Sequence, residues 1–477
     1  MKCFRFAIFM VFIFNILSAQ NNMGGGGMDF SRQDFPCLTA EKRMEIQQQL
    51  DASIQDLLNR GIIESARTEQ VTLMEWPVIG ALGQTDYGYH GISNFVDQNS
   101  AFPNQLQDYN CGERTYDLAS GYNHQGVDIF TWPFGWYRMD NDEIIIVAAA
   151  PGTIIFKASG NNDRSCGFNG SDWNAVYVQH SDGSVAWYGH MKKNSPTAKN
   201  VGETVVAGEY LGVVGSSGNS TGPHLHLEIH DAGGNLIEPF QGACNSLNTE
   251  SWWAEQPPYY DSAINRVMTH SAPPVFPSCP TQEVVNAKDA FLGGERVYFA
   301  TYYRDQLNGQ LSEFRIRQPN GVVWQSWSHA STEPHYQASY WYWWWNLPAN
   351  PFYGVWQFEV TFEGETYVHE FTVGTVGIDD QVEKLQSFKL NQNYPNPFNP
   401  TTTISYEMPV SGSVKITIFD AMGREVRRLV NQMQPAGSHI IEWNGKAADG
   451  NRVESGVYYY RLEAGNFRET KQMTLTQ

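Results

Sequence analysis

Residues His224 to His230, His-Leu-His-Leu-Glu-Ile-His, alternate polar and apolar without a break. A period of two is a strand pattern, because successive side chains on a strand point to opposite faces. Leu225, Leu227 and Ile229 share a face suited to a core. His224, His226, Glu228 and His230 share the other, which looks into a cleft or solvent. Two imidazoles two residues apart on a rigid strand can act on one centre, one binding a metal while the other handles protons. The plainer alternative is a solvated strand face. The preceding Gly215-Ser-Ser-Gly-Asn-Ser-Thr-Gly222 is an irregular turn. It is not a phosphate loop, since no Gly-Lys-Ser/Thr ending follows.

The same short alternation recurs along the chain. Ile144–Val147, 152–156, 175–180, 185–190, 204–206 and 210–214 read as strands, with Ser181-Asp-Gly-Ser184 as a hairpin turn. Short connections imply antiparallel sheet. A length of 477 residues suits roughly three domains. The net charge of −19 repels phosphate backbones, which argues against nucleic-acid binding.

Lys2 and Arg5 followed by apolar Ala7–Leu17 and Ser18-Ala-Gln20 read as a secretory signal over 1–20. No other stretch is long and apolar enough to span a membrane, so the mature chain is expected to be exported without a transmembrane segment. Residues 21–75 read as a spacer with four successive glycines, Gly24–Gly27, and then a helix over Thr39–Asn59. Thr39 caps it. Met44, Ile46, Leu50, Ile54, Leu57 and Leu58 form its apolar stripe, with Lys42, Arg43 and Gln47–Gln49 on wet faces. This segment either packs on the next domain or is a removable pro-segment. An oxidising destination permits disulfides. Cys111 with Cys166 and Cys244 with Cys279 are plausible partners by domain, leaving Cys37 odd.

The expected organisation continues with a domain over 76–245, a proline-marked linker over 246–282, a β-sandwich over 283–374, a second linker over 375–389 and a third β unit over 390–477. In the sandwich, Tyr340-Trp-Tyr-Trp-Trp-Trp345 reads either as a sugar-stacking surface or, the favoured reading, as a packed core strand. Asn393–Pro400 is too proline-rich for a central strand.

Upstream of the histidine strand, Asn123-His-Gln-Gly-Val-Asp-Ile129 places His124 and Asp128 four apart, and an imidazole with a carboxylate suits Zn²⁺. Trp187-Tyr-Gly-His-Met191 adds His190. In this order, H-x-x-x-D, Y-G-H and G-x-x-G-x-x-x-G-P-H-x-H, the motifs resemble the lysostaphin-like zinc endopeptidases that cut peptidoglycan cross-bridges. The resemblance runs from about Trp76 to Phe240. It implies a folded antiparallel sheet with one zinc at the floor of a groove, His124, Asp128 and His226 as ligands, and His190 and His224 as catalytic histidines. Three protein ligands leave one tetrahedral position open for a zinc-activated water. Glu228 reads as a hydrogen-bond partner of a ligand or as a solvated carboxylate, and His180 and His230 as exposed. Two stretches depart from the family pattern and are expected to border the groove, Phe130–Asp142 and Ser159–Trp173. The tail, with Leu390–Pro400, Phe419-Asp-Ala-Met-Gly-Arg424 and Gly456-Val-Tyr-Tyr-Tyr460, resembles the immunoglobulin-like sorting domain of the type IX secretion system. That implies the type IX machinery as a partner and a secreted or cell-surface destination. The leading expectation is thus a zinc endopeptidase acting on peptidoglycan peptides. The alternatives are a non-catalytic binding or activator relative, a protease acting on proteins, and an adhesin using the aromatic sandwich.

Overall fold

The computed structural model describes residues 22–30, 34–64, 71–81, 84, 86–276, 279, 283–374, 388–393, 395–408, 412–434, 437–464 and 467–476. The expected signal and most of the second linker lie outside the described residues. The described residues fall into two compact units, those within Met1–Ile79 and Asp86–Val376 and those within Gly80–Thr85 and Gly377–Gln477. As expected, the chain is mainly β and built from several antiparallel sheets, with one long helix near its start.

The sheet that carries the site runs in the order His90–Asn94, Val127–Thr131, His224–His230, Val185–Gly189, Ala175–Gln179, Gly152–Ala158 and Thr204–Val205. Leu225, Leu227 and Ile229 face a core shared with Val127, Ile129, Val176, Val178, Ala186 and Tyr188. Each such side chain contributes about 1.5–3 kcal/mol when fully buried. A slip of one residue would put imidazoles into that core, so the pairing register is strongly specified.

Glu238, just past this sheet, is buried and accepts the N–H groups of Val96 and Phe240 at 3.1 and 3.0 Å. Burial outweighs those two bonds and pushes its carboxyl up to about 8. The folded value exceeds the ordinary 4.5, so the stability its proton provides is present below pH 4.5 and is lost as pH rises through about 8. Each tenfold change in proton affinity between the folded and unfolded chain is worth about 1.4 kcal/mol. Melting temperature measured against pH should therefore fall across this window, and Glu238→Gln should flatten the fall.

The helix Ala40–Asn59 forms as expected, with Thr39 Oγ1 accepting the Lys42 N–H. Ile46, Leu50 and Leu57 bury against Ile155, Tyr177, Val185 and Trp187 of the site sheet. Met44 is 60% exposed, contrary to its place in the expected stripe. Arg43, expected on a wet face, instead reaches the buried carboxylate of Glu228.

A sandwich completes the first unit. One sheet has the order Met23–Met28, His335–Asn346, Arg296–Leu307, Ala263–His270. The other has the order Ala290–Leu292, Glu365–Gly374, Gly354–Phe362, Leu311–Arg317, Val323–Ala330. Phe299, Trp343, Trp356, Phe358 and Phe371 fill the space between, and Trp341 and Trp345 pack against them. Tyr340 and Tyr342 point the other way, onto a cluster holding Phe130, Trp132 and Phe134. Of the aromatic run only Trp343 is fully buried; its neighbours pack half-buried on the two faces of the strand.

Three expectations change. The glycine stretch is a strand, pairing Met23 with Trp343 and Met28 with Ala338. A Cβ on Gly24 or Gly27 would meet the ring of Tyr342 or Tyr336, and one on Gly25 the carbonyl of Tyr340. Glycine is needed there because the backbone lies against aromatic rings, a long-range cause that local composition hides. The stretch read as the linker 246–282 contains the strand Ala263–His270 and the buried Trp252 and Trp253. The disulfides join Cys111 to Cys244 and Cys166 to Cys279, so the 159–173 loop is tied to Cys279, which lies in sequence between the sandwich strands Ala263–His270 and Ala290–Leu292.

In the second unit, Thr402–Met408 and Gly437–Trp443 form one sheet with Lys389–Leu390. Glu425–Gln434, Gly412–Phe419, Gly456–Ala464 and Phe467–Leu475 form the other. Ile404, Tyr406, Ile416, Trp443 and Tyr460 fill its core.

Candidate metal and catalytic site

Antiparallel pairing sets Asp128 directly opposite His226 and Gly189 opposite His226 on the other side. His124 precedes the Asp128 strand, and a Cβ at Gly126 would collide with the His226 ring, which explains the glycine within H-Q-G-V-D. The result is a buried cluster. His124 Nε2 lies 3.1 Å from Asp128 Oδ2 and 3.3 Å from His226 Nδ1, and His226 Nδ1 lies 2.8 Å from Asp128 Oδ1. Donors held about 2.0–2.1 Å from a tetrahedral zinc stand about 3.4 Å apart, so a small adjustment separates this set from that geometry. His124, Asp128 and His226 qualify together as a group able to hold a metal ion.

The surrounding contacts aim these atoms inward. His124 Nδ1 donates to the Phe95 carbonyl at 2.8 Å, leaving Nε2 as a lone pair. His226 Nε2 lies 3.2 Å from Glu228 Oε2, which leaves Nδ1 for the cluster. Asn94 Nδ2 donates to Asp128 Oδ2 at 3.1 Å. Burial works against charge on Asp128, but His124 and His226 hold its carboxyl well below the usual range. Glu228 behaves alike: burial opposes ionisation, and Arg43, His226 and His230 overcome it. Arg43 bonds Glu228 directly and lies over the Trp187 ring.

His190 and His224 flank the cluster, ring centres 4.4 Å apart. His190 Nδ1 donates to Ser217 O at 2.5 Å and His224 Nδ1 to Gly222 O at 2.8 Å, so each presents Nε2. Burial lowers both imidazoles, His190 further because His224 and His226 adjoin it. Neutral imidazoles are suited to accepting protons, and the Nε2 of His190 faces the Cys37 sulfur at 3.1 Å.

All five residues singled out in the sequence therefore come together, and Glu228 takes the partner role. His180 and His230, expected to be exposed, do not stand free. His180 is buried with Nδ1 2.8 Å from Pro151 O, and His230 Nε2 lies 2.6 Å from Glu228. Both departures from the family pattern border the site. Phe130, Trp132 and Trp136 wall a cavity of about 140 Å³ that reaches Asp128 and His224. Trp173 packs its ring on His190 and His226. Sequence reasoning missed the roles of Asn94, Arg43 and Trp173; a half-buried cationic residue on a stripe read as wet carries no local signal. It also missed Cys37, whose one signal was its place as the odd cysteine.

A cluster of two imidazoles and a carboxylate beside two neutral histidines, on an antiparallel sheet, is the kind of site a metal-dependent hydrolase requires. Residues 122–239 match Peptidase family M23, and residues 396–466 match the FlgD Ig-like domain. The chain is 41% identical over 81 residues to the DD-carboxypeptidase/endopeptidase Mpg of Neisseria gonorrhoeae, covering 17% of this chain and 16% of that protein. It is 34% identical over 81 residues to the peptidoglycan DD-endopeptidase ShyC of Vibrio cholerae, covering 17% of this chain and 18% of that one. The match thus spans under a fifth of these relatives. Among solved structures, the catalytic domain of the antimicrobial peptidase lysostaphin from Staphylococcus simulans is 25% identical, covering 26% of this chain and 82% of that chain, with a TM-score of 0.19.

Proposed function

We propose that this chain is an exported zinc endopeptidase that hydrolyses peptide bonds of peptidoglycan, in stem peptides or cross-bridges, with one zinc on His124, Asp128 and His226. The observation that carries this reading is the convergence of those three donor groups beside two Nε2 atoms from His190 and His224. A zinc ion bound there supplies Lewis acidity, which polarises a carbonyl and lowers the pKa of water to about 7. The chain's own residues do the rest. One neutral histidine takes the proton of the attacking water at Nε2 and returns it to the leaving amine, while the other, its Nδ1–H engaged by a backbone carbonyl, orients that water through its Nε2 lone pair. Asn94 and Glu228 keep two ligands oriented through these steps. The relatives named for peptidoglycan cleavage support this substrate class. The filled set of five positions speaks against a non-catalytic relative. Digestion of defined cross-linked muropeptides and, in parallel, of a glycine-rich protein separates a cell-wall enzyme from a general protease.

Export through the periplasm by the type IX machinery is the reading for the tail. Among the described residues, no helix is long and apolar enough to cross a membrane. Deleting residues 390–477 should leave muropeptide cleavage intact and strand the chain in the periplasm. Normal levels of the truncated chain in the medium would refute the sorting role.

A further inference from the structure

The helix that covers the site sheet brings a cysteine with it. Cys37 stands two residues before the Thr39 cap, is buried, and is the one free cysteine among the described residues. Its Sγ lies 3.1 Å from His190 Nε2. Cys37, His190 and His226 form a second group able to hold a metal ion, their donor atoms all within 4.8 Å of one another. His226 belongs to both groups, so the sulfur stands at the margin of the His124, Asp128, His226 cluster. It stands directly against the Nε2 of His190, the atom assigned to proton transfer. Thiolate is among the preferred zinc ligands, and a fourth protein ligand closes a tetrahedral site that catalysis needs open.

The segment is seated at several points. Asn219 Nδ2, in the turn before the histidine strand, donates to Pro36 O at 3.1 Å. Lys42 pairs with Asp172 at 2.6 Å. Arg43 bonds the Glu228 that orients His226, and Ile46, Leu50 and Leu57 anchor the helix behind it. These contacts fix Cys37 over the cluster.

We propose that Cys37 is the fourth ligand of the metal, and that the segment around it is a built-in inhibitor which holds the enzyme latent. This rests on the peptidase reading above. Binding deprotonates the thiol and releases the proton to solvent; no oxidant or reductant is involved. Opening requires the sulfur to leave the metal and the helix to move off the sheet.

The test uses the full mature chain loaded with Co²⁺ in place of zinc. The wild-type chain should show a sulfur-to-cobalt charge-transfer band in the near ultraviolet. Cys37→Ser should bind the same amount of metal without that band, and should cleave muropeptides about tenfold faster or more, in proportion to the open fraction gained. A second arm needs no variant: iodoacetamide should alkylate Cys37 of the wild-type chain only after a chelator has removed the metal. Metal bound without the band, or Cys37 alkylated while metal is bound, overturns the proposal and leaves the peptidase reading standing. Failure of the wild-type chain to bind any metal overturns both.

Discussion

On the Cys37→Ser background, His226→Ala is expected to lose bound metal and peptide cleavage together, whereas His224→Ala should keep its metal and lose turnover alone. The two residues are neighbours on one face of one strand, but their ring nitrogens do different work. His226 Nδ1 joins His124 Nε2 and Asp128 in the donor cluster, and on the Cys37→Ser background, where no thiolate can substitute, removing it leaves two ligands. His224 presents Nε2 only 3.7 Å from Asp128 Oδ1 while its Nδ1 is engaged by Gly222 O. Its loss removes a proton-transfer group, typically worth about 10²–10⁴-fold in rate. The strand should survive both changes, since Leu225, Leu227 and Ile229 hold it in the core. Metal stoichiometry and muropeptide cleavage on both variants check this. Metal lost from the His224 variant and kept by the His226 variant would invert the assigned roles.

Arg43→Ala should destabilise the first unit by about 2–3 kcal/mol. Removing one partner of a buried ion pair typically costs about 3–5 kcal/mol, because the other charge is left without compensation. Glu228 has no exposed side-chain surface, whereas Arg43 keeps some and His230 still reaches Glu228 at 2.6 Å, so the lower figure applies. Lys42 is the control. Its pairs with Glu45 and Asp172 are largely solvated, and such pairs contribute about 0–1 kcal/mol. Denaturant titration should separate the two alanine variants, and Glu228→Gln added to Arg43→Ala should restore part of the loss. Equal midpoints for Arg43→Ala and Lys42→Ala would contradict the clamp.

Most of the site was legible because its signals are local. Alternation from His224 to His230 fixed which side chains share a face, and the observed register places all four polar ones as that pattern requires. The hidden parts are long-range. Arg43 meets Glu228 across 185 residues and Cys37 meets His190 across 153, and nothing near either residue announces the partner. The disulfides close 133 and 113 residues, so pairing by apparent domain misled. Gly24–Gly27 looked like a spacer because the reason for glycine lies on another strand, in the rings of Tyr336 and Tyr342. The apolar stripe of the helix was readable; the carboxylate under its polar side was not.

The most direct test of the central claim is digestion of purified cross-linked muropeptide dimers by the zinc-loaded mature chain and by its Cys37→Ser variant, with metal content measured on the same samples. We expect one zinc per chain in both. Dimers should convert to peptide-cleaved monomers, faster with the variant, and the conversion should stop when a chelator removes the zinc. Zinc-loaded chains that leave every cross-linked muropeptide intact, or cleavage that persists at full rate without metal, would contradict the account.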